Sequence, residues 1–369
     1  MYSFIFVLPC FYSPSDPKST GGTISNYLIA KILSRNHLVT ILAPETEVSD
    51  FLNEKLNVIR VKRASLSGLK GKVLGGKVFR SALESKINSS TEKKILLFGG
   101  ATNFLASYFS DREKLKIILL VRAYDDFIYG RWSPVTFDRF HPFLKKNIDR
   151  GRTKRAFNNA DAIITNSEWM VSCVKKSFPS ANNVCKLYPP LDLSDLKSGF
   201  ALREKCDFTV GFVSRGSGKA KGIDLIFKLA KEQPDITFNI YGGLDQREVN
   251  KKISKNINIK GWTSRGIMFS ENHLFLVPSV WPEPFGRIAI ETQVSGLPVL
   301  VSGSGGLPET VISNDCIVID EGDWPHALVQ ARQNYKSLKS KVSKANGELI
   351  IKFSLKTCED ELLKILRLI

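Results

Sequence analysis

The chain lacks the features that mark several specialised protein classes. No run of its 369 residues reaches the roughly 18 consecutive apolar residues that a membrane-spanning helix needs. Its six cysteines are scattered without a C-x-x-C pair, a pattern that predicts free thiols in a reducing, cytoplasmic compartment and neither a disulfide framework nor a zinc site. Its four histidines form no metal-ligand spacing. We therefore expect a globular protein without a metal site.

Positive charge, in contrast, is abundant. The chain has 53 Lys and Arg against 36 Asp and Glu, a formal net charge of +17 that predicts affinity for nucleic acid, anionic lipid or phosphorylated small molecules. Nine cations lie between Lys62 and Lys94, interleaved with leucine, valine and Phe79. This pattern is typical of a basic amphipathic segment on an anionic membrane surface. The alternative is an ordinary helix whose apolar side packs inward.

Short apolar runs alternate with helical patterns through both halves of the chain. At this length, with 43% hydrophobic residues, the composition predicts two domains. Continuous apolar strands separated by helices indicate parallel sheets covered on both faces. The predicted strands are Phe4–Leu8, Leu38–Leu42, Val58–Val61, Ile95–Phe98, Ile117–Val121 and Ala162–Thr165, then, after a linker at Tyr188–Asp192, Phe208–Val213, Ile236–Tyr241, Ile257–Lys260, Leu274–Val277, Val299–Ser302 and Ile317–Ile319.

Helices are predicted between most of these strands. They include Thr23–Ser34, Gly222–Glu232, Arg287–Ser295, Trp324–Lys339 and a final amphipathic helix over Leu355–Leu368. In parallel α/β sheets ligands bind at the carboxyl ends of the strands. We therefore expect the binding site in the cleft between the two domains.

Three glycine-rich loops follow predicted buried strands. The first is Ser19–Thr23, and the third runs from Ser302 to Glu309. The second carries Arg215, Lys219 and Lys221 at the mouth of a helix, where cations receive phosphate oxygens well. It lacks the G-x-x-x-x-G-K-[ST] spacing of a P-loop. A solvated basic turn is the alternative interpretation.

The most informative stretch is Trp281–Glu291, where two carboxylates stand eight residues apart across a helix start. Glu283 precedes the helix and Glu291 lies about two turns into it, roughly 12 Å along the axis. Carboxylates that hydrolyse glycosides lie about 5–9.5 Å apart, so this spacing better suits gripping both ends of a long ligand. The helix N-terminus between them favours a diphosphate. A nucleotide diphosphate-sugar has that shape; a capped surface helix with two solvated glutamates is the alternative.

Taken together, the motifs resemble a GT-B retaining glycosyltransferase of the family 4 type, also called glycosyl transferases group 1. The resemblance covers nearly the whole chain and depends most on the E-x7-E segment and on Gly305–Glu309. Weaker motifs are the Gly21-Gly22 loop, His37–Thr40, Ala160–Trp169, Arg215–Gly222 and Pro278-Ser279. It implies an α/β fold of two facing Rossmann-like domains: residues 1–190 would bind the acceptor, residues 191–350 would bind the nucleotide-sugar, and a C-terminal helix over 351–369 would cross back to the first domain.

The resemblance also implies roles for particular residues. Glu283 would hold the donor-sugar hydroxyls, and Glu291 would bind the ribose. Arg215 and Lys221 would neutralise the leaving diphosphate in place of a metal, with Arg215, Lys221 and Glu283 as the catalytic set. Because the loop between these two cations is one residue longer than the family pattern, Lys219 could serve instead. The remaining donor-binding residues would be Gly22, approaching from the opposite domain, Phe285, Gly286, Arg287, Gly305 and Gly306.

One departure from the family lies after the strand Ile117–Val121, where a histidine is common. This chain has Arg122-Ala123-Tyr124-Asp125-Asp126 there, so Arg122 or Asp125 would contact the acceptor or sugar, and no general base is assigned.

The resulting hypothesis is metal-independent transfer of a hexose, with retention, to a saccharide or lipid-linked saccharide, without a resident cofactor. Such a reaction would serve polysaccharide, lipopolysaccharide or glycolipid synthesis in the cytoplasm or on the cytoplasmic face of the membrane. The alternatives are a basic nucleic-acid-binding protein, and a GT-B sugar phosphorylase or epimerase. Nucleic acid is disfavoured because the Lys62–Lys94 cluster has one aromatic residue for base stacking and Glu283 would repel phosphates.

Overall fold

The chain is described by a computed structural model that covers residues 2–16, 18–50, 56–62, 64, 68–89, 93–109, 115–126, 142–193, 196, 207–214, 218–244 and 253–369. It forms two compact units. The first comprises Met1–Pro190 together with Leu355–Ile369, and the second comprises Leu191–Ser354. Within the described residues, no helix is both long enough and apolar enough to cross a membrane.

The first unit contains a seven-stranded parallel sheet in the order β3-β2-β1-β4-β5-β6-β7. Its strands are β1 Ser3–Val7, β2 Leu38–Pro44, β3 Asn57–Val61, β4 Lys94–Gly99, β5 Leu115–Val121, β6 Ala162–Thr165 and β7 Val184–Lys186. Its helices up to Pro190 are α1 Gly21–Leu33, α2 Gly68–Asn88, α3 Pro142–Asn159 and α4 Glu168–Ser177, and a 3-10 segment covers Gly100–Tyr108. The fully buried strands β1 and β4 confirm the apolar runs predicted from the sequence.

Helix α1 begins two residues earlier than predicted. The Thr20 hydroxyl accepts the backbone N–H of Thr23, and the Thr23 hydroxyl accepts that of Thr20, so a reciprocal cap starts the helix at Gly21. Gly21 and Gly22 therefore form the first helical turn rather than the loop before it. This correction places Gly22 at the positive end of the helix dipole.

The last helix of the chain, α10 (Leu355–Leu366), belongs to the first unit. Its buried side chains Cys358, Leu362 and Ile365 join the hydrophobic core that also contains residues of α1 and of the sheet. The spacing of three and four residues between them is that of one helical face. The sequence pattern predicts Leu362, Leu363, Ile365 and Leu366 on the apolar side of this helix; Leu362 and Ile365 are buried, whereas Leu363 is 38% exposed. The buried stripe ties the end of the chain to its beginning.

The second unit contains a six-stranded parallel sheet in the order β10-β9-β8-β11-β12-β13. The strands are β8 Thr209–Ser214, β9 Thr237–Gly242, β10 Ile257–Gly261, β11 Leu274–Val277, β12 Val299–Ser302 and β13 Ile317–Val318. The helices are α5 Ile223–Glu232, α6 Arg265–Ser270, α7 Arg287–Val294, α8 Trp324–Gln333 and α9 Tyr335–Lys352. The prediction of a single helix over Trp324–Lys339 is wrong: Asn334 divides it, as expected for a residue that prefers helix ends to helix interiors.

Candidate functional site

Glu283 is held at the carboxyl edge of the second sheet by a cation and a hydroxyl. The side chain is buried, and Lys221 Nζ donates to its Oε1 at 2.7 Å. The Ser279 hydroxyl donates to the same oxygen. Lys221 keeps 28% of its side chain exposed, and its ammonium has three donors of which this bond uses one. The pair thus combines a fixed carboxylate with a cation that solvent or ligand can reach.

Lys221 and Glu283 meet because their two segments pack backbone to backbone. Gly222 has a φ of +86°, and a Cβ at this position would lie 2.1 Å from the Pro278 carbonyl oxygen. Next to it, the Val280 N–H donates to the Ala220 carbonyl at 3.0 Å. A left-handed turn that only glycine fits therefore docks the lysine loop on the segment that carries Glu283.

The glycine loop after β12 supports Glu283 from the other side. Gly305 has a φ of +67°, and a Cβ there would lie 2.3 Å from the Glu283 carbonyl oxygen. The Gly306 N–H donates to that same oxygen at 2.7 Å. The structure thus places Gly305 and Gly306, predicted as donor-binding, against the backbone of Glu283.

Helix α7 begins beside this pair. Its cap residue, Gly286, offers no side chain to the first-turn N–H groups, and a Cβ at Gly286 would lie 2.3 Å from Leu307 Cδ2. The Phe285 ring is buried, with its centroid 5.9 Å from that of Phe353. Phe285 therefore anchors the helix start in the core, and its contribution to a ligand would come from its backbone.

Glu291 lies between two arginines. Arg287 Nε is 3.7 Å and Arg265 Nη1 is 3.8 Å from Glu291 Oε1. Burial lowers the pKa of Arg287, while the charge of Glu291 opposes that shift and the charge of Arg265 adds to it. No sequence motif indicated Arg265, although it follows β10 and the carboxyl ends of parallel strands share one edge.

The first unit places Gly22 against Arg122. A Cβ at Gly22 would lie 3.4 Å from Arg122 Cβ, so the arginine stem packs on the first turn of α1. The Arg122 side chain is buried, and this burial lowers its pKa to about 10. Asp125 lies in a 3-10 turn at Tyr124–Asp126, and its side chain is outside the described residues.

Two predicted cation sites are described only in part. Arg215 lies outside the described residues, whereas Lys219 is exposed on the turn before α5. In the Lys62–Lys94 cluster, Lys77 and Arg80 are exposed while the apolar residues Phe79, Leu83 and Ile87 are buried. The side chains of Lys70 and Lys72 lie outside the described residues. In the described part of α2, these three apolar side chains pack inward, as the ordinary-helix alternative predicts, whereas Leu74 is 60% exposed.

The described part of the chain contains no group of three or more His, Cys, Asp or Glu side chains that could hold a metal ion.

Most of the second unit matches a known family of proteins. Residues 198–344 match the family model described as glycosyl transferases group 1. An uncharacterized 41.2 kDa protein in the cps region of Klebsiella pneumoniae is 32% identical over 165 residues, which cover 41% of this chain and 45% of that protein. The chain thus matches less than half the length of this relative.

Two solved structures are similar over almost the whole chain. Sucrose-phosphate synthase from Thermosynechococcus elongatus superposes with a TM-score of 0.77 at 14% identity, covering 99% of this chain and 98% of that one. Anabaena HepE in complex with UDP-glucose superposes with a TM-score of 0.68 at 14% identity, covering 99% and 100%. At this identity the likeness establishes the fold. The chain therefore has the GT-B fold, and residues 198–344 of its second unit match the model of the glycosyl transferases group 1 family.

Proposed function

We propose that this protein is a retaining glycosyltransferase that moves a hexose from a nucleotide diphosphate-sugar to a saccharide or lipid-linked saccharide, in cell-surface polysaccharide or glycolipid synthesis. The observation that carries the proposal is the Lys221–Glu283 pair beside the start of α7, within a glycosyl transferases group 1 domain. The UDP-glucose in HepE and the cps-region location of the Klebsiella relative support the substrate class and the pathway.

The pair supplies what departure of a diphosphate requires. Negative charge develops on the leaving phosphate, and a fixed cation together with the N-terminal N–H groups of α7 would stabilise it without a divalent metal. Glu283, held by Lys221 and Ser279, would orient the sugar hydroxyls relative to that charge. Arg215 would add a second cation from the same loop.

Glu291 is the residue proposed to bind the ribose of the donor nucleotide, and its role can be tested by nucleotide binding. We expect one of UDP, GDP and ADP to raise the melting temperature of the intact protein, because a ligand that binds only the folded state stabilises it. Glu291→Gln should weaken binding of that nucleotide about 10-fold, since it removes a charged acceptor for the ribose hydroxyls. Isothermal titration measures the affinity, with exposed Glu232→Gln as the matched control. Unchanged nucleotide affinity in Glu291→Gln would refute its role, and no response to any nucleotide would refute the donor class.

Peripheral contact with an anionic membrane is proposed for the basic residues of α2, which would bring the enzyme to a lipid-linked acceptor. Replacing Lys70, Lys72, Lys77 and Arg80 by Gln should reduce co-flotation with vesicles rich in anionic lipid, because each Lys or Arg near the membrane contributes about 1 kcal/mol to such binding. Vesicles of neutral lipid are the control. Equal flotation of both proteins would contradict the proposal.

A further inference from the structure

The first unit contains a buried polar cluster at the carboxyl edge of its sheet. Seven side-chain atoms there have no hydrogen-bond partner in the described structure. They are all three guanidinium nitrogens of Arg122, both amide atoms of Asn103, and the amide oxygens of Asn26 and Asn166. Each of the four side chains is at most 8% exposed. Buried polar atoms are normally paired, so a concentration of unpaired atoms at one edge of a sheet indicates a place where a polar ligand can bind.

The four side chains converge because of the strand order. Arg122 follows β5 and Asn166 follows β6. Asn103 lies in the 3-10 segment Gly100–Tyr108, which follows β4. The strands β4, β5 and β6 are adjacent and parallel. The Asn166 amide donates to the Arg122 carbonyl oxygen at 3.0 Å. Asn26 extends from α1 toward the end of β4, where its Nδ2 would lie 3.4 Å from a Cβ at Gly99.

Among these four side chains, the buried and charged Arg122 most needs a hydrogen-bond partner. Its stem packs on Gly22 in the first turn of α1, so the guanidinium and the positive end of the helix dipole lie in one region. The nearby carboxylate of Asp126 accepts the backbone N–H groups of Arg122 and Ala123, at 2.7 and 3.0 Å, and no hydrogen bond joins it to the guanidinium. Cys358, which also faces Arg122, stays a neutral thiol because burial raises its pKa to about 12. A buried cation without a hydrogen-bonded anion is costly, and an incoming anion would remove that cost.

The other groups of the cluster specify the rest of the ligand. Carboxamides both donate and accept, as sugar hydroxyls do. At the same edge, on the first turn of α4, Trp169 is 41% exposed and its indole N–H donates to the Tyr124 hydroxyl at 2.6 Å. This fixes the plane of an aromatic ring that can receive the apolar face of a sugar.

We propose that this cluster, the Arg122 edge, binds the acceptor through an anionic group, a carboxylate or a phosphate carried by a hydroxyl-rich sugar. That the ligand is the acceptor rests on the proposed function; that the edge binds an anionic sugar rests on the unpaired groups themselves. The acceptor would then be an acidic or phosphorylated saccharide, and a neutral sugar would bind poorly.

The experiment measures binding of glucuronate, glucose 1-phosphate and glucose to the full chain by calorimetry. Titrations are made with and without a saturating amount of whichever nucleotide stabilises the protein most, so that the second unit is occupied in one arm. We expect at least one of the two anionic sugars to bind in both arms and glucose to bind at least 10-fold more weakly. The pair of anionic probes distinguishes a carboxylate from a phosphate as the preferred group.

Arg122→Gln tests the assignment of the anion site. It should weaken binding of the preferred anionic sugar about 10- to 100-fold, which corresponds to the loss of a hydrogen bond to a charged group. It should change the affinity for the nucleotide less than 3-fold. Without ligand, the melting temperature of Arg122→Gln should be at least that of the parent protein and at most about 2–4 °C higher, because an uncompensated buried charge is removed. Arg35→Gln is the matched control: it removes the same charge at the far end of α1, where Arg35 pairs with Glu359 on the surface.

Three results would overturn the proposal. The first is that neither anionic sugar binds the parent protein. The second is that Arg122→Gln binds the preferred sugar as tightly as the parent protein does. The third is that Arg122→Gln loses as much affinity for the nucleotide as for the sugar, which would assign Arg122 to the donor. The proposed function fails separately, when no nucleotide stabilises the parent protein, and the titrations without nucleotide still decide the anion site in that case.

Discussion

Lys221→Ala should lower kcat by a factor of order 10²–10³, comparable to the loss of other preorganised donors that stabilise developing negative charge. Lys221 Nζ contacts Glu283 Oε1 at 2.7 Å while its side chain remains partly exposed, so one residue both positions the carboxylate and presents a cation. Its removal leaves Ser279 as the donor that holds Glu283 Oε1 and takes away a charge that would stabilise the departing diphosphate.

Two other lysines sharpen this prediction. Lys219→Ala removes the exposed cation two residues earlier, and Lys228→Ala removes an exposed cation on α5 that pairs with Glu232 at 4.0 Å. We expect a small change in kcat for Lys219→Ala and none for Lys228→Ala, measured as donor turnover with each nucleotide-sugar that the protein binds. A large loss in Lys219→Ala with normal turnover in Lys221→Ala would transfer the role to Lys219, the alternative that the longer loop left open.

Every strand of the two sheets except β7 was predicted from the sequence, and most of them are buried apolar runs. β11 and β12 were predicted to the residue, since four consecutive apolar or small residues between turn signals leave little choice. β7 was missed because Val184–Lys186 is short and only half-buried, so its pairing with β6 provides what its own pattern does not. Local propensity is a weak guide where tertiary contacts decide.

The candidate site could be predicted only as a set of residues along the chain. The positions of Glu283 and Glu291 on either side of a helix start depend on helical spacing, which the sequence shows directly. The Lys221–Glu283 contact spans 62 residues and depends on two glycines in left-handed turns, so no local pattern reveals it. The unpaired state of Arg122 was equally hidden, because a partner can be counted only once the neighbouring strands are placed.

Gly305→Ala should be among the most destabilising single-methyl additions in the second unit. A Cβ would lie 2.3 Å from the Glu283 carbonyl oxygen and 2.5 Å from its nitrogen, and both are backbone atoms that cannot rotate away. The left-handed φ costs a non-glycine residue roughly 1–2 kcal/mol, and forced overpacking typically adds about 1–3 kcal/mol. We therefore expect a loss of about 2–5 kcal/mol, together with a fall in kcat, because Glu283 must move. Gly222→Ala, at 2.1 Å from the Pro278 carbonyl oxygen, should behave alike.

Gly296→Ala separates the two contributions. Gly296 has a φ of +83° after the end of α7, and a Cβ there would meet nothing within 4 Å. It should therefore lose only the backbone contribution of roughly 1–2 kcal/mol and keep normal kcat. Melting temperatures of the three variants measure this difference, at about 2–4 °C per kcal/mol for a unit of this size. If Gly305→Ala and Gly222→Ala had the same melting temperature as Gly296→Ala and retained full turnover, close backbone packing would not be what holds Lys221 on Glu283, and this ion pair would need another support.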